Sequence, residues 1–323
     1  MSPNSWICLH PSNATQTTLS LDNRGLAYGD GFFTTMGVID GQILWLDYHQ
    51  QRLVSHAAAL QLQLDSQSLL TLLKMHAQQL QQGVLKLIVT RADQEVRGYG
   101  YTPNIGGSEC EVWLKSSPIS ITTAQSLPLA DGQFIPLQPA ASAICLSSQI
   151  ACLPPPLVGL KSLNRLDNVL ASGELQAIKV QAIKAETLTG TIKPSIAEGL
   201  LRDMSGQWVE GTMSNVFYQL VEAPVAKSSN RPHSQNYRNS SSNYLSTGQW
   251  YAPSMAKSGV VGVMRQVIID TLSTSENPVI IRSLQDDDLP HLSQLFFCNA
   301  LRGIMPMSSL RLLAGEVVSF KAI

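Results

Sequence analysis

The sequence predicts an α/β protein of the α+β kind, built as two domains, and three observations carry that expectation. A chain of 323 residues accommodates about two domains at roughly 150 residues each, each large enough to bury a core. Strand-like and helix-like apolar patterns alternate through the first hundred or so residues. Between about residues 117 and 160 the chain becomes rich in Ser, Pro and Ala, and Pro154-Pro155-Pro156 continues neither a helix nor a central strand. The expected layout is a smaller N-terminal α/β domain over 1–120, a linker over 121–135, and a larger C-terminal domain over 136–323.

The elements follow in order. Thr18 to Leu53 reads as strand, turn, strand, strand and helix, with Gly29-Asp30-Gly31 as the turn between apolar stretches. Asp40-Gly41, between Val38-Ile39 and Ile43-Leu44, is a two-residue hairpin signal. Leu69, Leu70, Leu72, Leu73, His76 and Leu80 fall near helical spacing, and Val84 to Val89 follows as a buried strand. After the Pro-rich stretch, Leu163, Leu166, Val169, Leu170, Ala177 and Ile178 mark a helix, weakened at Gly173. Lys161 therefore sits at a strand-to-helix junction, where a side chain can face a cleft. Ala226 to Thr247 has almost nothing to bury and reads as a mobile surface loop.

Composition narrows the function. Hydrophobic residues make up 44% and mean hydropathy is +0.04, ordinary for a globular protein. The formal net charge is −1, from 22 basic and 23 acidic residues, which gives no field to attract nucleic acid or an anionic membrane. A small ligand is the expected partner. Cys8, Cys110, Cys145, Cys152 and Cys298 form no C-x-x-C pair and have no histidine at metal-ligand spacing, so buried thiols in a reducing cytoplasm are expected, and no metal. No basic stretch leads into an apolar run at the start, and no apolar run is long enough to span a membrane.

Four short segments carry the chemistry. They are Asp22 to Thr35 with His49-Gln50-Gln51-Arg52-Leu53, Gly159 to Leu166, Glu210 to Phe217, and Ser258 to Arg265 with Cys298-Asn299-Ala300-Leu301 beyond. Their order, over nearly the whole chain, resembles the class IV (fold type IV) pyridoxal-phosphate enzymes, which include branched-chain and D-amino acid aminotransferases and 4-amino-4-deoxychorismate lyases. The resemblance implies two domains with pyridoxal 5′-phosphate in the cleft between them. Lys161 matches the lysine that forms the Schiff base and Glu210 the glutamate that pairs with the pyridine nitrogen. Arg52 and the helix start at Val263 and Met264 match the phosphate contacts, and Asn215 and Asn299 fall within the cofactor-binding segments.

Each role has a physical reason. A lysine that attacks an aldehyde needs a depressed pKa, obtained by burial near other cations, and can serve as a base once displaced. A carboxylate at the ring nitrogen keeps the pyridinium protonated, so that the ring withdraws electrons. The N–H groups that open a helix bind a phosphate dianion, and glycines such as Gly259 and Gly262 permit close approach. Arg52 adds a charged fork, with His49 a turn away on the same helix face as a supporting or packing residue.

Within the family the chain looks like the lyases, which carry Thr34-Thr35 where aminotransferases carry a glutamate. It shares with them Lys161-Ser162-Leu163-Asn164-Arg165-Leu166, Thr90-Arg91 with Arg97-Gly98-Tyr99, and Asn299 ahead of Met305-Pro306. The implied reaction converts 4-amino-4-deoxychorismate to 4-aminobenzoate and pyruvate. Thr35 is the candidate to orient the leaving group or the lysine, or else caps its own backbone. Arg97, with Tyr99, is a candidate for a substrate carboxylate, or Arg97 is a loop arginine in solvent. Asn299 either bonds substrate or closes a turn. A homodimer is implied by the resemblance alone. The alternatives are a D-amino acid or branched-chain aminotransferase, and a cofactor-binding homologue without turnover. Two stretches, around Ser228 to Asn243 and Thr187 to Glu198, are longer than the family pattern.

Overall fold

The alternating patterns condense into two sheets in the computed structural model, which describes residues 5–10, 18–102, 104, 106–121, 125–129, 131–189, 195–221, 248–273 and 277–320. The first unit contains β1 (Trp6–His10), α1 (Arg24–Tyr28), β2 (Gly31–Ile39), β3 (Gln42–Ile43), α2 (Leu46–Ala59), α3 (Ser66–Leu80), β4 (Gly83–Arg91) and β5 (Cys110–Ser117). Its five strands form an antiparallel sheet in the order β1-β5-β4-β2-β3. Alternate residues of the strands, including Phe32, Met36, Val38, Leu85, Leu87, Val89, Val112 and Leu114, share one core with Leu53 and Ala57 of α2 and Leu69, Leu70, Leu73 and Ala77 of α3. Period two in the sheet meets helical spacing in the layer above it.

The strand expected ahead of Gly29-Asp30-Gly31 is instead the short helix α1. Asn23 caps it, its side-chain oxygen accepting from Gly25 N at 2.9 Å and Leu26 N at 3.3 Å. Gly29 ends it in the left-handed conformation, so the expected turn is a helix C-cap running into a strand. Asp30 is fixed there by Arg24 at 3.0 Å and Arg91 at 2.9 Å, both buried. Asp40 and Gly41 both take positive φ and join β2 to β3 as the hairpin signal predicts.

The second unit contains β6 (Gln125–Pro128), β7 (Phe134–Leu137), β8 (Ala141–Ile150), α4 (Leu166–Thr189), β9 (Ile196–Asp203), β10 (Trp208–Gly211), β11 (Asn215–Leu220), β12 (Tyr251–Ala252), α5 (Val263–Leu272), β13 (Ile280–Ile281), β14 (Leu292–Asn299), β15 (Gly303–Arg311) and β16 (Val317–Ser319). Six of these strands pair in a closed circuit, β8-β9-β10-β11-β14-β15 and back to β8. Alternation then sorts side chains to two sides. Ala143, Cys145, Leu200, Trp208, Val216, Tyr218, Leu295, Phe297, Met305 and Met307 pack together inside. Outside, Ile144, Leu146, Leu201 and Val209 pack with Ala171 and Leu175 of α4, while Phe217, Phe296 and Cys298 pack with Val263, Met264, Val267 and Ile268 of α5.

Part of the expected linker is structured. Gln125–Pro128 is the strand β6 at the end of the second sheet, paired with β7, its Leu127 buried in the α5 cluster. An edge position tolerates Pro128 because no inner neighbour needs its missing N–H. Of the cysteines expected to be buried, Cys110, Cys145 and Cys298 are; Cys8 is half-buried and Cys152 is exposed, all five being free thiols. Cys152 lies just past β8 in a segment that faces solvent. The expected loop at Ala226 to Thr247 lies outside the described residues, and so does 190–194 of the lengthened Thr187 to Glu198 stretch. Among the described residues no helix is long and apolar enough to cross a membrane, and no cluster of His, Cys, Asp or Glu suits a metal ion.

Candidate active site

Lys161 lies in the irregular segment between β8 and α4, and its backbone is held by the first unit. Phe33 N donates to Lys161 O at 3.0 Å, Leu163 N to Gly31 O at 3.0 Å, and Asn164 Nδ2 to Gly29 O at 3.2 Å. On its other side, Lys161 N donates to His56 Nε2 at 2.9 Å. The segments read separately in the sequence as Gly29-Asp30-Gly31-Phe32-Phe33 and Gly159 to Leu166 are thus joined in space.

The Lys161 side chain enters a cavity of about 450 Å³ lined by both units, with Phe33, Thr35, Arg52, Glu210, Asn215 and Val263 on its walls. Its Nζ lies 4.6 Å from the centre of the Phe33 ring. Burial, and then the Arg52 charge, lower the amine to a pKa of about 8 against the opposing pull of Glu210, with Arg165 and Lys86 adding less. Phe33 and Thr35 share the cavity face of β2 because strand side chains alternate. Thr34 points the other way, where its Oγ1 meets His49 Nδ1 at 2.8 Å and takes a long 3.4 Å bond from Arg52 Nη1. His49 is fully buried and is kept neutral, chiefly by desolvation and then by the charges of Arg52 and Lys161. It meets Arg52 through the shared Thr34 hydroxyl.

Glu210 reaches the cavity because the β9–β10 register slips between Trp208 and Glu210, and such a bulge re-aims a side chain. The carboxylate is 3% exposed, and burial raises its pKa against the opposing hydrogen bond from Val260 N, 2.8 Å from Oε2. Asn168, in the first turn of α4, donates a long bond to Glu210 Oε1 at 3.4 Å, while its own Oδ1 is buried without a partner. The Thr212 to Ser214 turn that carries the chain on to Asn215 closes over the buried carboxylate of Glu198. That group accepts from Gly199 N at 3.0 Å, Thr212 N at 3.1 Å, Thr212 Oγ1 at 2.5 Å and Ser214 Oγ at 2.7 Å.

The Ser258 to Gly262 loop, which holds Glu210 through Val260 N, leads into α5. Asp203 takes a 2.7 Å bond from Ser258 Oγ, Asn215 Nδ2 donates to Val260 O at 2.8 Å, and Arg52 Nη2 donates to Val261 O at 2.8 Å. Gly262 caps α5 without a side-chain bond, so the first N–H groups of the helix remain available to an anion. A Cβ on Gly262 would overlap the Asn215 carboxamide oxygen. Arg52 is 7% exposed, and desolvation lowers its pKa to about 10. Val263 lines the cavity, whereas the Met264 side chain is in the α5 core, which leaves its backbone N–H as the contact Met264 can make.

The cavity is therefore lined by an amine, a buried carboxylate, an unpartnered carboxamide oxygen, an arginine and a helix N-terminus. This set fits a flat group carrying an aldehyde, a ring nitrogen and a dianionic phosphate. Asn299 lines the cavity too, but its Oδ1 is taken by Leu301 N at 3.1 Å and Arg302 N at 2.9 Å, the turn-closing alternative. Arg97 and Tyr99 do not line it. They follow β4, Arg97 exposed and Tyr99 87% exposed with its ring 5.3 Å from that of Tyr28. Tyr99 lines a second cavity, of about 660 Å³. Sequence reasoning missed His56, Asn168 and the inward-facing Arg165; the one signal was the helical spacing that puts His56 four residues after Arg52 on α2.

Comparison with known proteins places the chain in a family. A family model described as amino-transferase class IV matches residues 31–310. An aminodeoxychorismate lyase of Vibrio harveyi is 22% identical over 296 residues, 91% of this chain and 88% of that protein. The crystal structure of a 4-amino-4-deoxychorismate lyase from Pseudomonas aeruginosa superposes with a TM-score of 0.67 at 28% identity, covering 94% of this chain and 91% of that one. A branched-chain amino acid aminotransferase of Escherichia coli shares the fold at a TM-score of 0.61 and 17% identity, covering 91% and 80% of the two chains.

Proposed function

Because the chain belongs to the amino-transferase class IV family, whose fold type IV enzymes depend on pyridoxal 5′-phosphate, we propose that it is a carbon–oxygen lyase. It converts 4-amino-4-deoxychorismate to 4-aminobenzoate and pyruvate, a step toward folate. The observation that carries the reading is that Lys161, its pKa lowered to about 8, shares one cavity with Glu210 and the Thr35 hydroxyl. Two relatives that carry the lyase name support the choice within the family, as does Thr34-Thr35.

When bound, the cofactor supplies an aldehyde for an amine and a protonated ring that withdraws electrons. Lys161 Nζ would hold it and, when free, would take the proton from the amine-bearing carbon of the substrate. Glu210, aided by Asn168, would keep a proton on the ring nitrogen. Arg52, Asn215 and the N–H groups of Val263 and Met264 would fix the phosphate end. Thr35 orients the lysine or the leaving oxygen. In the net reaction a C–H bond and the ring C–O bond break and the ring becomes aromatic. The departing oxygen keeps the electron pair, and the enol takes up the proton as pyruvate; no water, oxidant or reductant is consumed.

The exposed apolar residues Leu166, Val169 and Leu170 at the start of α4, with Val169 on the cavity wall, support a homodimer that covers the cavity mouth. Five free cysteines suit a cytoplasmic enzyme.

Purified protein mixed with 4-amino-4-deoxychorismate is expected to release fluorescent 4-aminobenzoate. Lys161→Ala is expected to lose both the product and the visible absorbance of bound cofactor. Absence of product together with amino transfer to 2-oxoglutarate would replace this reading with an aminotransferase. Cofactor binding with neither activity would make the chain a non-catalytic homologue.

A further inference from the structure

We propose that His56 is a positioning residue for Lys161: as a neutral imidazole it accepts the lysine's backbone N–H and so sets where Nζ stands in the cavity. The inference rests on the reading of Lys161 as the cofactor anchor. Lys161 has no helix or strand of its own to fix it, so its peptide is located by its hydrogen bonds. The carbonyl is tied to Phe33 N at 3.0 Å and the N–H to His56 Nε2 at 2.9 Å.

The surroundings of His56 make it an acceptor on that side. Ser55 Oγ donates to Arg52 O at 3.2 Å, and with its single proton so used it accepts from the other imidazole nitrogen, Nδ1, at 3.3 Å. Nδ1 thus carries the ring proton and Nε2 the free lone pair. Phe32 packs edge-on against the ring at 5.4 Å between centres, and the residue is 5% exposed. Burial first, then Arg52, Arg165 and Lys161, lower its pKa to about 3. The acceptor therefore persists throughout the working pH range, whereas a charged ring would point a second donor at the Lys161 N–H.

His56 also stands one helical turn after Arg52 on α2. A single helix turn thus presents the arginine that holds the phosphate end and the acceptor that holds the lysine backbone. Their spacing is fixed by helix geometry, not by the loop. Misplacing a reacting group by about 1 Å costs up to roughly 100-fold in rate.

The test uses the full chain, freed of cofactor and then mixed with pyridoxal 5′-phosphate, with covalent capture on Lys161 read by borohydride reduction and peptide mass. His56→Leu, which removes the acceptor, is expected to slow capture about tenfold and to lower kcat with little change in KM. His56→Gln, which places a carboxamide oxygen near the position of Nε2, is expected to recover most of both. Capture by His56→Leu at the wild-type rate would overturn the proposal, and so would a His56→Gln variant as slow as His56→Leu, which would leave only a packing role. Nitrogen-15 spectra of the wild-type histidines supply a measurement independent of whether the variants fold. A bare Nε2 on His56 is expected from pH 5 to pH 9, and an Nε2–H tautomer would refute the assignment. Failure of the wild-type chain to capture cofactor on Lys161 would instead sink the anchor reading itself, and the present inference with it.

Discussion

At the scale of single residues, the site depends on charges taken out of water and then individually satisfied or deliberately left unsatisfied. Lys161 belongs to the second kind. Its pKa of about 8 has a sign that can be measured, because only the unprotonated amine attacks an aldehyde. In protein freed of cofactor, capture of pyridoxal is expected to rise about tenfold per pH unit below that value and to level off above it. Arg52→Met removes the largest charge acting against the ammonium, so the inflection is expected to move upward. A wild-type inflection at the ordinary lysine value would show that the amine is not desolvated. Glu198 belongs to the first kind, with four donors converging on one buried carboxylate. Glu198→Ala strands them, and urea unfolding is expected to show a loss of about 3 kcal/mol.

At the scale of elements, local breaks in regularity aim the site. The β10 register slip turns Glu210 out of the alternation that puts Trp208 inside the closed sheet. The cap of α5 carries no side chain because Asn215 occupies the space a Cβ would need. Gly262→Ala is therefore expected to push Asn215 or the helix N-terminus aside. Its dissociation constant for pyridoxal 5′-phosphate, measured by fluorescence quenching, is expected to rise about tenfold, equivalent to roughly 1.4 kcal/mol. An unchanged constant would mean that the helix start is not the phosphate contact. Much of this scale was legible beforehand. The Asp40-Gly41 hairpin, the α3 spacing and the β4 run follow from local chemistry. The α1 helix was not, since its existence turns on Asn23, whose side chain is also held by Thr90 and Glu111 from distant strands at 3.1 and 2.8 Å.

At the scale of the whole molecule, the apolar start of α4 asks for a cover. Leu166 is 78% exposed and Leu170 70%, an arrangement that a lone soluble chain does not favour when it continues into a cavity rim. Sedimentation is expected to give a dimer for the wild-type chain and a monomer for Leu166→Glu/Leu170→Glu; a wild-type monomer would remove the dimer from the proposed function. The sequence alone determined the α+β class and the family resemblance, and it named the lysine, glutamate, arginine and helix start that the structure gathers round one cavity, because order and residue type survive in one dimension. Only the tertiary structure decided that Asn299 spends its oxygen on a turn, that Arg97 and Tyr99 stand outside their own chain's cavity, and that His56 holds the Lys161 backbone. The reason is that a hydrogen bond between residues 105 positions apart leaves no periodicity or spacing to read. It exists only once two units of the fold have brought the donor and the acceptor together.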